Sequence, residues 1–315
     1  MSPSTAPCAG VDVSKGHLDV AVHPGGAARR FANDRTGHSA LLRWLAPRAV
    51  ARVVFEATGP YHRLLERRLH AAGLPCAKVN PRHARRFAEA AGTLAKTDRV
   101  DAAMLARFGA LLEPECRPLR SEALDQLAEL VAARRMLVRD RTATTNRAKT
   151  LSLDLLKRQA ALRLKHIARQ IRAIDAQARA LVAAEPSLAR RLAVLASIPG
   201  IGEATALALI ADMPELGRMD AKQAASLAGL APVARQSGTW RGNSPIRGGR
   251  AHLRQALYMP ALVAARFNPD LRAKFAAMTA AGKPAKVAIT ALMRRLVVLA
   301  NALLRDDRTW TKAVA

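Results

Sequence analysis

"AGVDVSKGHLDVAVHP", residues 9–24, reads as two short strands joined by a tight turn at Ser14–Gly16. Asp12 stands in the middle of the first strand, where aspartate is disfavoured. A charge on an otherwise apolar strand needs a partner. The stretch therefore points to a β-containing fold and to chemistry built on it.

Outward from it, "ARVVFEATG" (51–59) is a β-branched run ending in a Gly-Pro break, with a second acid, Glu56, at its end. Pro60 is placed to open a helix over "YHRLLERRLHAAG", which Gly73 closes. "PCAKVN" is a further strand, and Asn80 with Pro81 caps the next helix. Strands and helices alternate through residues 8–115, which predicts a mixed sheet with helices on its faces.

"AKTDRVDAAMLARF" (95–108) opens another helix with Asp98 and Asp101 on one face. Locally, Asp98 reads as the N-cap and Asp101 as the third helical residue, both favoured by orphan N–H groups and the helix dipole. With Asp12 and Glu56 they become four carboxylates, two on strands and two on a helix. Meeting at one place, they repel one another unless divalent cations intervene, and oxygen ligands suit Mg²⁺ or Mn²⁺. Two such ions about 4 Å apart polarise a phosphodiester and stabilise its leaving oxygen. Lys96 and Arg99 then stand beside them as candidate phosphate contacts.

The chain of 315 residues carries 51 Lys and Arg against 24 acids, a formal charge of +27, while half its residues are apolar. That is a globular protein with a polyanionic partner; nucleic acid comes first and an anionic membrane surface second. "LVVLANALL" (296–304) is short of a span of about 18–20 residues and is flanked by Arg294, Arg295 and Arg305, so no membrane partner is expected. The N-terminus lacks a basic n-region, and three widely spaced cysteines, Cys8, Cys76 and Cys116, fit core positions in a reducing cytoplasm.

Residues 120–185 contain neither Gly nor Pro and repeat apolar residues at helical spacing, from Leu124, Leu127 and Val131 to Ile167, Ile171 and Ile174. Long helices in a hairpin or coiled coil are expected, with Arg134, Arg135, Arg139 and Arg147 as a nucleic-acid face or a merely solvated one. "LASIPGIGEATALALIADM" (195–213) resembles a helix-hairpin-helix turn, and Gly- and Arg-rich 226–257 contains a loop before further helices. Three parts follow: 1–118, 119–186 and 187–315.

"GVDVSK", "FEATGPY" and "KTDRVDAAMLA" resemble the segments of the DEDD, RuvC-like domain of insertion-sequence transposases. "IPGIGEATALALIADM", "LAGLAPVARQSGTWRG" and "RAHLRQAL" are similar to the second domain of the insertion-sequence one-hundred-ten family, the bridge-RNA-guided serine recombinases. The resemblance implies an RNase H-like (RuvC-like) first domain with Asp12, Glu56, Asp98 and Asp101 as metal ligands. It implies a serine nucleophile in the Ser-Gly after G-L-x-P, here Ser237, with Ser244 ranked second. "IRGGRAHLR" stands where the family commonly has a Lys-x-Gly-Asn run, so charge is kept and an amide lost.

The implied reaction is DNA strand exchange through a serine–DNA link. Arg241, Arg247, Arg250 and Arg254 flank the serine with no acid among them, as candidate phosphate clamps or a merely solvated basic loop. Implied partners are donor and target double-stranded DNA, a bridge RNA, and further copies of the chain in a dimer or tetramer, at the nucleoid of a bacterial or archaeal cytoplasm. Aromatic residues make up only 3%, which disfavours base-stacking platforms and suits sequence reading by a guide. Two rivals remain. A metal-dependent junction resolvase or nuclease would use the same acids to activate water, and a basic architectural protein would leave the strand acids unexplained.

Overall fold

The structure, a computed structural model, describes residues 6–56, 59–93, 97–234, 236–242 and 244–311. The side chains of Trp240 and Arg241 are outside that description, as are Lys96 and Asn243 entirely. The chain divides into two compact units, Met1–Arg120 and Ser121–Ala315.

In the first unit, β1 (Cys8–Val13), β2 (His17–His23), β3 (Ala28–Ala32), β4 (Arg52–Glu56) and β5 (Cys76–Val79) form one sheet in the order β3-β2-β1-β4-β5. β1, β2 and β3 pair antiparallel, while β1–β4 and β4–β5 are parallel. The expected mixed sheet is thus present. The expected turn is present too: Ser14 Oγ accepts from the His17 amide at 3.0 Å and donates to the His17 carbonyl at 2.8 Å. β3 is an addition, an edge strand of sequence ARRFA in which only Phe31 is buried.

Period-two alternation sends the strands' residues to two different cores. Ala9, Val11, Val13, Leu18, Val20, Val53 and Phe55 pack with Leu41 and Leu45 of α1 (Arg35–Leu45) and with Leu65 and Leu69 of α2 (Arg63–Ala71). Cys8, Val54, Ala77 and Val79 face the other way, with Leu105 and Phe108 of α4 (Asp98–Leu112), beside Ala84 and Phe87 of α3 (Pro81–Ala90). Asp12, Asp19 and Glu56 share this second face by register.

Two local expectations are corrected. Pro60 does not open α2, which starts three residues later at Arg63 after a turn. Asp98 is not the N-cap of α4. Thr97 takes that place, its hydroxyl accepting from the Val100 amide at 3.3 Å, and Asp98 becomes the first helical residue. Asn80 caps α3 as expected, through the Arg82 amide. Cys8 and Cys76 are core residues, but Cys116 is exposed.

The second unit is helical. α5 (Glu122–Ala148) and α6 (Asp154–Ala183) pack on each other, followed by α7 (Pro186–Ala196), α8 (Glu203–Asp212), α9 (Ala221–Leu227), α10 (Ala251–Phe267), α11 (Pro269–Ala280) and α12 (Ala285–Arg305). The periodic residues Leu127, Val131, Ile167 and Ile171 are buried, whereas Leu155 and Leu162 stay exposed. The Pro-Gly-Ile-Gly turn separates α7 from α8. A Cβ at Gly200 would lie 2.8 Å from the Pro260 carbonyl, so only glycine lets the turn close on α10. α12 is long and apolar enough to span a membrane, contrary to the short run read at 296–304, yet half of its apolar window is buried. Ile289, Leu292, Leu296, Val297 and Leu303 of that helix sit in the unit's core.

Candidate active site

The first unit gathers acids on one sheet face. β1 and β4 run level through Val11 and Phe55, so one further residue sets Asp12 beside Glu56 on neighbouring strands. Across the hairpin, Asp12 is the direct partner of Asp19, and partners share a face.

Two glycines bring the helix down onto these strands. A Cβ at Gly10 would stand 2.2 Å from both the Ala102 carbonyl oxygen and the Ala106 amide nitrogen. A Cβ at Gly109 would meet Cys8 Sγ at 2.2 Å and Val54 at 2.6 Å. α4 therefore lies across β1, with residue 109 over residue 8 and residues 102–106 over residue 10. Two strand residues advance about 6.6 Å, the length of four to five helical residues. The same step from Gly10 to Asp12 reaches the first turn of α4, where Asp98 and Asp101 stand.

Electrostatics agrees with that geometry. The Asp12 carboxyl is pushed up to about 6, first by burial and then by the negative charges of Asp98, Asp101, Glu56 and Asp19. Asp98, Asp101 and Glu56 lie near enough to Asp12 for their charges to be felt, and so does a fifth acid, Asp19.

Asp19 was missed in the sequence, although a turn at Ser14–Gly16 already pairs residue 12 with residue 19. It is 8% exposed and its charge is held by Arg30, whose Nε and Nη2 donate to its two oxygens at 2.9 Å each. Asp98 Oδ2 lies 3.6 Å from Arg30 Nη2 and 3.7 Å from His17 Nε2. His17, Asp19 and Asp98 each place one possible ligand atom within 4.8 Å of the others. In this arrangement Asp98 leans towards β2 and β3. The donor set is mostly carboxylate oxygen, and its central member, Asp12, is held back from ionising first by burial and then by its acidic neighbours. Such a donor set suits a hard divalent cation.

In the second unit, Ser237 ends β6 (Gln236–Ser237), which pairs antiparallel with β7 (Trp240–Arg241). Ser237 faces Trp240 across a two-residue loop, Gly238–Thr239, and Gly238 takes φ 57°, as such tight loops require. Ser237 and Ser244 are both exposed. Below the tip, Pro232 pairs with Ile246, and the Val233 amide donates to the Pro245 carbonyl at 3.0 Å. At the base, Gly249 is pressed on Gly229, where a Cβ would come within 2.2 Å of the amide nitrogen. Arg254 Nη1 donates to the carbonyls of Gly229 at 3.0 Å and Gly248 at 3.3 Å, tying the two sides of the stem together.

Several expected phosphate-binding arginines are engaged inside the second unit. Arg250 forks onto Glu215 at 2.7 and 2.8 Å and also donates to the Asp212 carbonyl. Arg134 pairs with Asp175 at 2.5 Å and Arg135 with Asp212 at 3.2 Å. Arg139 reaches Gln255 at 3.4 Å and is exposed, as are Arg147 and Arg247. The side-chain and carbonyl partners of Arg134, Arg135 and Arg250 lie 35 to 77 positions away, so no local sequence signal marks them.

Two transposase family models match, a DEDD-type model over residues 9–156 and that of the transposase IS116/IS110/IS902 family over residues 192–276. The pilin gene-inverting protein of Moraxella bovis is 30% identical over 97% of this chain and 98% of its own length, and that of Moraxella lacunata 31% over the same shares. An insertion element IS110 protein of Streptomyces coelicolor is 33% identical over 50% of this chain and 38% of its own. A RuvC of T. thermophilus in complex with Holliday junction substrate aligns with 34% of this chain and 98% of its own at 14% identity, with a TM-score of 0.27, too low to bear on the fold. Full-length identity to the Moraxella proteins, together with both models, places this chain in the IS110-family transposases, enzymes that cut and rejoin DNA.

Proposed function

We propose that the chain exchanges DNA strands through a covalent serine link, with the first unit's acids holding Mg²⁺ and the second unit's hairpin presenting Ser237. The observation that carries the reading is the acid cluster itself: Asp12 is held up first by burial and then by the negative charges of Asp98, Asp101, Glu56 and Asp19, a repulsion that a cation would relieve. A bound divalent ion supplies Lewis-acid activation of a phosphodiester.

The chain's own residues do the rest. The Ser237 oxygen attacks phosphorus, the P–O3′ bond breaks, the serine proton is released and the 3′-oxygen takes one up. The products are a phosphoserine–DNA link and a free 3′-hydroxyl. A 3′-hydroxyl of the partner duplex then attacks the same phosphorus, and serine leaves. The bond energy of one phosphodiester is thereby kept, so no hydrolysis or outside energy source is needed. Ser237 suits this role by standing exposed at a hairpin loop, where a DNA backbone reaches it. Arg241 and Arg247 flank it as phosphate contacts, while Arg250 and Arg254 support the hairpin beneath.

The reading extends to a bridge RNA that pairs with donor and target DNA, which suits a chain with 51 basic residues and few aromatic ones. Exposed Arg139 and Arg147 on α5 are available to its phosphates, and Arg134 and Arg135 hold α5 to α6 and α8. The active form is a dimer or tetramer. The test is cleavage of a matched donor–target substrate with the co-purified RNA. Wild type forms a protein–DNA adduct that survives denaturation, and Ser237→Ala forms none. Cleavage at the normal rate by Ser237→Ala would replace serine with activated water.

A further inference from the structure

Beside the acids, a cleft of about 260 Å³ opens between the β2–β3 edge and the first turns of α4, lined by Asp19, Arg30, Arg99 and Ala102 among others. Its charges are not balanced. Arg30 is oriented from below by Asp19, itself almost fully buried, through two hydrogen bonds of 2.9 Å. That fork uses Nε and Nη2, so both N–H groups of Nη1 remain to point elsewhere. Arg99 is exposed on α4, three residues before Ala102, and shows no acidic partner among the described residues. An arginine gripped by a buried carboxylate loses little further freedom on binding, and its planar fork matches phosphate oxygens. The first turn of α4 adds the positive end of the helix dipole.

We infer that this cleft seats a backbone phosphate of the DNA strand being cut, beside the scissile one, with Arg30 and Arg99 as its contacts and Asp19 as the residue that positions Arg30. Arg30 Nη2 lies 3.6 Å from Asp98, so the cleft adjoins the carboxylates, within reach of the phosphate next to a scissile one held there. The seat gives the acids what they lack for substrate binding: four carboxylates repel a phosphate chain until metal is present, and two guanidinium groups at their edge hold it in register. The inference rests on the phosphodiester reading of the same site and assigns it a direction of strand exit, over β3.

The test is phosphate interference in binding, with Ca²⁺ in place of Mg²⁺ so that no cleavage intervenes. Methylphosphonates replace single phosphates on each side of the cut, and affinity is measured for wild type, Arg30→Lys, Arg99→Gln and, as a control on the opposite sheet face, Arg43→Gln. One neutralised phosphate on one side costs wild type about tenfold, and Arg99→Gln and Arg30→Lys reduce that loss to under twofold, since the contact is already gone. The salt dependence of log K falls by about one contact in Arg99→Gln and not in Arg43→Gln. Arg30→Lys keeps the charge beside Asp19 and Asp98 but not the fork, which separates phosphate seating from simple neutralisation. Equal interference in all four proteins overturns the inference, and so does weakened RNA binding with unchanged DNA binding. Failure of the serine mechanism would leave these binding results intact, because they need no chemistry.

Discussion

Asp12 sits within a five-stranded sheet, half-buried, with its neighbours fixed by strand register and by a helix pressed on two glycines. Ser237 flanks a two-residue loop on an exposed hairpin, whose base is fastened by a glycine contact and by Arg254. The difference matches the chemistry proposed for each side. A metal site needs several oxygens held against their own repulsion, which only a rigid frame achieves. A nucleophile that bonds to DNA and later lets it go needs access, and a short hairpin gives access at the cost of a thin support.

The contrast is sharpest on the acid side. Asp101→Asn removes a proposed metal holder without changing shape, and strand cleavage should fall about a thousandfold, since charge stabilisation of several kcal/mol is lost. Single-turnover cleavage measures it. The same relief of repulsion should make Asp12→Asn melt higher than wild type in chelator, as seen by thermal unfolding. A lower melting temperature there would mean that the acids do not strain one another.

Next in size is Gly10→Ala. The added Cβ would strike the α4 backbone, which has no side chain to move aside, so the first unit should lose about 2–3 kcal/mol. Chemical denaturation followed from the first unit's Trp44 measures it. Smaller again is Arg254→Gln, which frees the carbonyls of Gly229 and Gly248. Global stability should drop by about 1 kcal/mol, while trypsin cuts after Arg247 faster and adduct formation slows about tenfold. If adduct yield and proteolysis stay at wild-type levels, the stem does not depend on that fastening.

Much of the first unit was legible because its exceptions are local. An acid inside an apolar strand is visible at Asp12, and Glu56 repeats the signal at a strand end. β3 was not legible, since an edge strand with one buried residue has no alternation to read. Thr97 outcompeted Asp98 as the cap because the residue before a helix, with extended backbone, aims its side chain at the N–H groups, and the two residues differ by one position. Asp19 could have been found by continuing the hairpin register. The second unit gave less: Arg250, Arg134 and Arg135 read as exposed charge, yet their acidic partners stand 35 to 77 positions away, where no spacing reveals them. The apolar run at 296–304 read short because Arg294 and Arg295 hide how much further the helix continues before them.

The claim on which the rest stands is that Asp12, Glu56, Asp98 and Asp101 hold a divalent cation, and calorimetric titration of the whole protein with Mn²⁺ tests it directly. Saturable binding is expected at pH 7.5. With the Asp12 carboxyl pushed up to about 6, the cation must displace a proton at lower pH, so affinity should fall roughly tenfold at pH 5 with protons released on binding. Asp12→Asn should bind weakly and lose that pH dependence. Wild type and Asp12→Asn binding Mn²⁺ alike, or neither binding it at pH 7.5, would contradict the account.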